Sequence, residues 1–215
     1  MTSDPFFLQP GLDQEIRPGK DGSDGSFTCS CCGLPSPGAG LPWTGPSSGA
    51  GLRVCQVCNL LQDTSRAAID AEAMLVWWPE MSQSRLMFLV RTAHQTLRLM
   101  ARQQGQSDRQ FWDTVLKAIP DPLLGTQFSP SFRTPMTLLR LLESRRAEAE
   151  HRLQSGSIRQ ITTAMRLCGS ADEAVQRNLA LLRAGLRILP TGRLLDAGAD
   201  VYPAFLDKAL ALTPS

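Results

Sequence analysis

The sequence has little of what catalytic sites and membrane spans usually require. Its 215 residues include two histidines and one tyrosine, and 20% of them are charged. No window of about 18 apolar residues occurs, because charged side chains interrupt the most apolar helical stretch, so no membrane span is predicted. The N-terminus also lacks the basic start and apolar core of a secretory signal. We therefore expect a cytoplasmic protein.

Motifs of common catalytic sites are missing as well. The sequence contains no GxSxG, Walker A or HExxH motif and no GxGxxG after a strand. His94 falls at the edge of the apolar face of a predicted helix, and His151 falls on a charged helix face. The 22 basic and 20 acidic residues nearly balance, which excludes a strongly electrostatic nucleic-acid binder. We expect a protein that is not an enzyme.

Glycine and proline are unevenly distributed. Residues 1–52 contain 17 of the 32 glycines and prolines, which excludes long helices there. From about residue 63 onward the pattern is helical. The sequence thus predicts a partly ordered segment over residues 1–24, a cysteine module over 25–72 and a helical body over 73–215. The expected fold class is α+β, mostly α.

Four of the six cysteines form two CxxC pairs. Cys29 and Cys32 make the first pair and Cys55 and Cys58 the second, with 22 residues between the pairs. Four thiolates are the tetrahedral ligand set that Zn²⁺ prefers, and a two-residue spacer lets both sulfurs of a pair reach one ion. We predict one structural Zn²⁺ on these cysteines. Gly33 directly after the first pair is expected to ease its tight turn.

The other two cysteines are less clearly placed by the pattern. Spacing favours Cys29 and Cys32 as ligands but leaves open whether Cys31 replaces one of them. Cys168 is predicted to be a small buried apolar residue. Four thiolates leave no coordination position for a substrate water, and residues 33–54 contain no histidine, aspartate or glutamate. Nuclease chemistry at this site is therefore not expected.

Capping and periodicity signals predict several helices after the cysteines. Apolar residues at three- and four-residue spacing predict a helix over 83–103 with Ser82 as its N-cap. Pro135 is expected in the first turn of its helix, after an irregular loop over 121–134. Ser170 and Glu173 fit a capping box. A β-prone run over 74–78 predicts a strand or an extended link. Further helices are predicted over 63–71, 108–119, 135–154, 157–167, 170–186 and 203–212.

Four sequence runs, taken in order, resemble a known family. They are FTCSCCG, RVCQVCNLLQ, LVWWPEMSQSRL and LRILPTGRLLDAGADVYP. Together they resemble the IcmJ (DotN) family, an HNH-like zinc protein of type IVB secretion and conjugation systems. The resemblance covers the chain from about residue 27 to the C-terminus. The proline- and glycine-rich insert between the cysteine pairs departs from the family pattern.

The resemblance implies a fold, a ligand set and partners. It implies an HNH-like ββα zinc module without catalytic residues, with Cys29, Cys32, Cys55 and Cys58 matching the zinc ligands. The protein would be a non-catalytic adaptor of the coupling complex, at the cytoplasmic face of the inner membrane and attached to it through partners alone. It would bind the C-terminal tail of the coupling ATPase and other coupling-complex subunits and support substrate recruitment. Neither a small-molecule substrate nor a nucleic acid is expected.

Large aromatic residues are candidate partner-binding anchors, because such side chains dominate interface energies. The candidates are Trp77, Trp78, Phe111 and Trp112. The competing interpretation is that they belong to the core. An alternative function is a zinc-dependent nucleic-acid-binding protein, since residues 53–215 carry a net charge of +5. The arginines behind this alternative include Arg85, Arg91, Arg98, Arg102, Arg109, Arg145 and Arg146.

Overall fold

A computed structural model describes residues 16–22, 25–44, 51–107, 130–168 and 172–212. The predicted helix over 108–119, with Phe111 and Trp112, lies outside these residues. The described part is mostly helical and contains small two-stranded antiparallel sheets. The α+β, mostly α class predicted from the sequence is thus confirmed.

Two short strand pairs carry the cysteine-rich part of the chain. Strand β1 (Ser26–Thr28) pairs with β2 (Pro35–Pro37), and β3 (Leu41–Pro42) pairs with β4 (Arg53–Val54), both antiparallel. A 3₁₀ helix, Cys58–Leu61, follows β4. Frequent glycine and proline keep β1, β2 and β3 short.

The first α-helix after the cysteines is a single turn, α1 (Ile69–Glu72). The longer helix predicted over 63–71 is therefore wrong, because turns and a bend occupy residues 64–68. The HNH-like ββα arrangement is not confirmed either. Among the described residues, two strand pairs and a 3₁₀ helix surround the cysteines instead.

The central sheet joins two segments that are distant in the sequence. Strand β5 (Ala73–Trp77) pairs antiparallel with β6 (Leu186–Pro190), in a register that places Ala73 opposite Pro190 and Trp77 opposite Leu186. Every residue of β6 is buried. The β-prone run predicted β5 correctly. Strand β6 was not predicted, because its apolar residues continue the helical pattern that precedes them.

The longest helix is α2 (Gln83–Gln103), and it has the bounds that the sequence predicts. Ser82 caps it, with its hydroxyl accepting a hydrogen bond from the Arg85 N–H at 3.2 Å. The predicted apolar face is buried, as shown by Leu86 and Leu97 at 1% exposure or less. Helix α2 packs against β6 on one side and against helices of the C-terminal half on others.

The single helix predicted to begin at Pro135 is two helices. Helix α3 (Pro130–Ser144) begins five residues before Pro135, so Pro135 lies inside it and residues 130–134 are not a loop. The prediction failed because a proline lacks the N–H that an interior position uses, which favours a first-turn position. A turn at Arg145 separates α3 from α4 (Arg146–Leu153). The residue after α4, Gln154, has a left-handed φ of 55° that ends the helix.

The next two helices begin at side-chain caps. Helix α5 (Ile158–Leu167) lies within the predicted range, and Ser157 caps it. Helix α6 (Glu173–Gly185) is capped by Asp172, whose carboxylate accepts a first-turn N–H at 3.0 Å. The predicted capping box is therefore wrong, because the N-cap is Asp172 and not Ser170, which lies outside the described residues. An aspartate at this place also suits the positive end of the helix dipole.

The last helix closes the core. Strands β7 (Leu195–Asp196) and β8 (Ala199–Asp200) form a small hairpin, and α7 (Tyr202–Ala211) follows within one residue of the predicted bounds. Helix α2 contacts α3, β6 and α7. Buried residues of the cysteine-rich part and of the helical part belong to one hydrophobic cluster. The domain boundary between residues 72 and 73 stays a prediction.

Candidate metal centre

The first cysteine pair lies on the turn between β1 and β2. Cys29 directly follows β1, and Cys32 lies three residues later with its sulfur within 4.8 Å of the Cys29 sulfur. Gly33 has a φ of 70° and donates its N–H to the Cys29 carbonyl at 2.9 Å. Only glycine adopts this backbone conformation without a steric cost, so the prediction for Gly33 is confirmed.

The second pair lies where β4 leads into the 3₁₀ helix. Cys55 directly follows β4, and Cys58 is the first residue of that helix. The Cys55 N–H donates to the Cys29 sulfur at 3.3 Å, and the Cys58 N–H donates to the Cys55 sulfur at 3.4 Å. Such N–H donors lower the cost of holding negative sulfur atoms away from water.

The structure brings the four predicted ligands together. The sulfur atoms of Cys29, Cys32, Cys55 and Cys58 all lie within 4.8 Å of one another, and each residue is at most 3% exposed. A tetrahedral Zn²⁺ with bonds of about 2.3 Å needs sulfurs about 3.8 Å apart, so the cluster fits one ion with small adjustments. All four thiolates would be used as ligands, which leaves no open coordination position.

Cys31 and Cys168 lie outside this set. The Cys31 sulfur is 3.9 Å from the Ser84 hydroxyl on α2, in a buried position beside the first pair. The spacing argument that favoured Cys29 and Cys32 therefore agrees with the geometry. Cys168, at the end of α5, is half-buried rather than fully buried.

Hydrogen bonds and burial shift the pKa values of the four thiols in opposite directions. The contact with Cys32 raises the pKa of Cys29, and the same contact lowers the pKa of Cys32. Burial raises the pKa of Cys58 well above its ordinary value. The pKa of Cys55 is lowered despite its burial, because hydrogen bonds from the other cysteines and the charge of Arg91 favour its thiolate.

The guanidinium of Arg91 on α2 is buried beside the cysteine cluster. Its Nη1 donates to the Cys32 sulfur at 3.3 Å and to the Ser36 hydroxyl at 2.8 Å, and its Nη2 donates to the Pro35 carbonyl. Burial lowers the pKa of the guanidinium, but the negative charge of the cysteines, Cys55 first, more than offsets this and raises the pKa. From the sequence, Arg91 is expected only as one of the arginines of the nucleic-acid alternative, and its contact with the cysteines is not predicted.

A periodic signal for the buried arginines was present in α2. Arg91, His94 and Arg98 recur at three and four residues, directly beside the apolar face. All three are at most 5% exposed. The His94 Nδ1 lies 2.8 Å from the Tyr202 hydroxyl, and Arg98 binds both carboxylate oxygens of Asp207. These polar residues join α2 to α7. His151 is exposed on α4, as predicted.

The predicted anchors Trp77 and Trp78 are half-buried and packed. The Arg152 guanidinium lies 4.1 Å from the Trp77 ring centroid, and the Arg145 guanidinium lies 5.0 Å from that of Trp78. Gly185 faces Trp77 so closely that a Cβ there would lie 2.2 Å from the ring. The two tryptophans thus have a packing role, and their role in partner binding stays a prediction.

Hydrogen bonds hold residues 79–83, which follow the two tryptophans, against strand β6. Arg187 on β6 is 1% exposed and donates to the carbonyls of Pro79 and Met81. Two residues on, the Gln83 side chain accepts the Ile188 N–H and donates to the Ile188 carbonyl, both at 2.8 Å. The segment 77–83, the most particular element of the family resemblance, therefore fixes the turn from β5 into α2 against β6.

No helix within the described ranges is long and apolar enough to cross a membrane. Comparison with known proteins gives no relative: no family model matches the chain, and no curated protein or solved structure is significantly similar to it.

Proposed function

We propose that the chain is a non-catalytic adaptor built around one structural Zn²⁺ at Cys29, Cys32, Cys55 and Cys58. The observation that carries this proposal is the convergence of four buried cysteine sulfurs within 4.8 Å. A structural metal contributes folding free energy to a segment whose strands are two or three residues long. Zn²⁺ is preferred over other ions because the donors are four thiolates in a closed set.

The partners follow from the family resemblance. As an IcmJ (DotN)-type subunit, the protein would act in a type IVB secretion or conjugation coupling complex at the cytoplasmic face of the inner membrane. It would bind the C-terminal tail of the coupling ATPase and other subunits and support substrate recruitment. The mainly structural use of the buried polar residues fits a scaffold better than a catalyst.

A groove beside Trp77 is the place where we would test tail binding first. It has a volume of about 440 Å³ and is lined by Trp77, Pro79, Leu141, Arg145 and Glu148 among others. Leu141 is 50% exposed at its edge. A peptide held by apolar side chains would keep its affinity at high salt, because screening weakens charge contacts and leaves apolar burial intact.

The test is affinity purification of the protein from detergent-solubilised membranes, with zinc measured in the same sample. We expect a coupling ATPase to co-purify with about one zinc per chain. The variant Leu141→Glu should lose the ATPase, whereas Leu99→Glu, at a residue of similar exposure on α2, should retain it. Recovery of the chain with zinc but without the ATPase would refute the adaptor role and leave the metal site.

Four of the arginines that suggested nucleic-acid binding are engaged within the protein instead, which weakens that alternative. Arg91 and Arg98 are buried and hydrogen-bonded inside the protein. Arg145 stacks on Trp78, and Arg146 forms an ion pair with a glutamate one helical turn away at 2.7 Å. Co-purification of nucleic acid in the same experiment, lost at raised salt, would favour that alternative.

A further inference from the structure

Arg91 occupies an unusual position for a charged side chain. It is 0% exposed and lies between the loop of the first cysteine pair, strand β2 and helix α7. Its guanidinium contacts the Cys32 sulfur, the Ser36 hydroxyl and the Pro35 carbonyl. On the side of α7, its central carbon lies 5.0 Å from the Phe205 ring centroid.

The partners of this guanidinium include no carboxylate in the part of the chain that the structure describes. A buried cation without a counter-charge is costly, because burial removes its hydration. The negative charge next to Arg91 is that of the cysteine cluster, with Cys32 at 3.3 Å. Four thiolates around a divalent ion carry a net charge of about −2, and burying that charge alone is also costly.

We propose that Arg91 is a positioning residue of the metal centre, which partly neutralises the thiolate cluster and fixes the orientation of the Cys32 sulfur. This inference rests on the proposed zinc site. The geometry supports both parts of the role. One nitrogen of the guanidinium donates to Cys32 and to Ser36 at once, and Ser36 in turn donates to the Leu34 carbonyl at 3.1 Å. The loop that follows Cys32 is therefore held by the same group.

The same contacts connect the metal centre to the C-terminal helix. Arg91 lies over the ring of Phe205, which stacks on Tyr202 with 6.0 Å between ring centroids. One guanidinium therefore contacts both the first cysteine pair and helix α7.

Arg98 provides a matched control on the same helix. It is buried at 5% exposure and faces α7, as Arg91 does, but its charge is paired with Asp207 at 2.7 and 2.8 Å. Replacing Arg98 by methionine removes a buried guanidinium from the same interface without removing a hydrogen bond to a cysteine. It therefore reproduces the general loss of packing and charge.

The test measures Zn²⁺ affinity of the full chain by competition with a chromophoric chelator. Outer hydrogen-bond partners of metal ligands typically change metal affinity about 10- to 100-fold, so we expect Arg91→Met to weaken Zn²⁺ binding by at least about tenfold. Arg98→Met should stay within about twofold of the wild type, because it leaves the cysteine hydrogen bonds intact. Equal losses in both variants would overturn the role of Arg91.

A second measurement covers the case in which Arg91→Met does not fold. Arg91→Lys keeps the charge, but one ammonium group cannot reproduce the fork that reaches Cys32, Ser36 and Pro35. With Co²⁺ in place of Zn²⁺, we expect its sulfur-to-metal charge-transfer band to move to lower energy, because the thiolate loses a hydrogen bond. An unchanged band together with unchanged Zn²⁺ affinity would refute the inference.

The two proposals fail differently in this experiment. If the wild-type chain binds no Zn²⁺, the metal site is wrong and the inference about Arg91 is wrong with it. If the wild type binds one Zn²⁺ and Arg91→Met and Arg91→Lys bind it equally well, only the inference about Arg91 is wrong.

Discussion

The side chain of Gln83 pairs with the backbone of Ile188 as a neighbouring strand would. Its amide accepts the Ile188 N–H and donates to the Ile188 carbonyl, each at 2.8 Å, and Gln83 is 0% exposed. Strand β6 is thus hydrogen-bonded by β5 on one edge and by a side chain at the start of α2 on the other. The contact spans 105 residues of sequence.

Replacing Gln83 by leucine should destabilise the protein by about 2–4 kcal/mol, because a buried N–H and a buried carbonyl would both lose their partner. Urea denaturation measures the change in the free energy of unfolding. Gln103→Leu, at an exposed position near the end of α2, is the control and should change stability by less than about 0.5 kcal/mol. Equal stability of the two variants would contradict the pairing.

The adjacent cysteines Cys31 and Cys32 should differ in their effect on zinc binding. Cys32→Ser should reduce the bound zinc to well below one ion per chain and lower the melting temperature, because a ligand is lost from a closed set. Cys31→Ser should keep one zinc per chain, since the Cys31 sulfur points to Ser84. Metal analysis of the purified variants decides this, with Cys168→Ser as a further control. A zinc-free Cys31 variant would assign that thiol to the site.

Asp70 caps a helix that lies far away in the sequence. Its carboxylate accepts the Ile158 N–H at 2.6 Å and the Ser157 hydroxyl at 2.7 Å, at the N-terminus of α5. Asp70→Ala should lower the free energy of unfolding by about 1–2 kcal/mol, because a first-turn N–H and the helix dipole lose a negative partner. Thermal or urea unfolding measures this. Asp196→Ala, at an exposed residue of β7, should have almost no effect.

His94 predicts a dependence of stability on pH. Burial lowers its pKa from 6.5 to about 4, so the folded state holds the neutral ring. The stabilisation is complete above the unfolded pKa of about 6.5 and is lost as the pH falls towards 4, by about 3 kcal/mol in total. His94→Gln can keep a hydrogen bond to Tyr202 and does not titrate.

The difference in free energy of unfolding between His94→Gln and the wild type should therefore shift in favour of the variant as the pH falls from 7 to 4.5. Acid also protonates the cysteine ligands, but it does so in both proteins and cancels in the difference. Parallel pH curves for the two proteins would show that His94 does not carry this effect.

Local sequence signals predicted the parts of the site that depend on neighbours in the chain. The two CxxC pairs and the turn at Gly33 follow from two-residue spacers, which involve only a few bonds of backbone. The bounds of α2 follow from Ser82 and from a period that the helix itself imposes. The start of α3 was predicted wrongly, because Pro135 is more typical of the first turn of a helix than of the interior position that it occupies.

The tertiary structure decided which charges belong to the interior. The sequence by itself determined the two cysteine pairs, the mostly helical class and most of the described helices, because these depend on composition and on spacing within one or two helical turns. Three contacts join residues that lie at least 59 positions apart: the pairing of β5 with β6, the Gln83 pairing with Ile188, and the Arg91 contact with Cys32. No local pattern constrains the partner at such separations. Whether an arginine is exposed or buried against a thiolate depends on what packs over it, and only the folded chain supplies that.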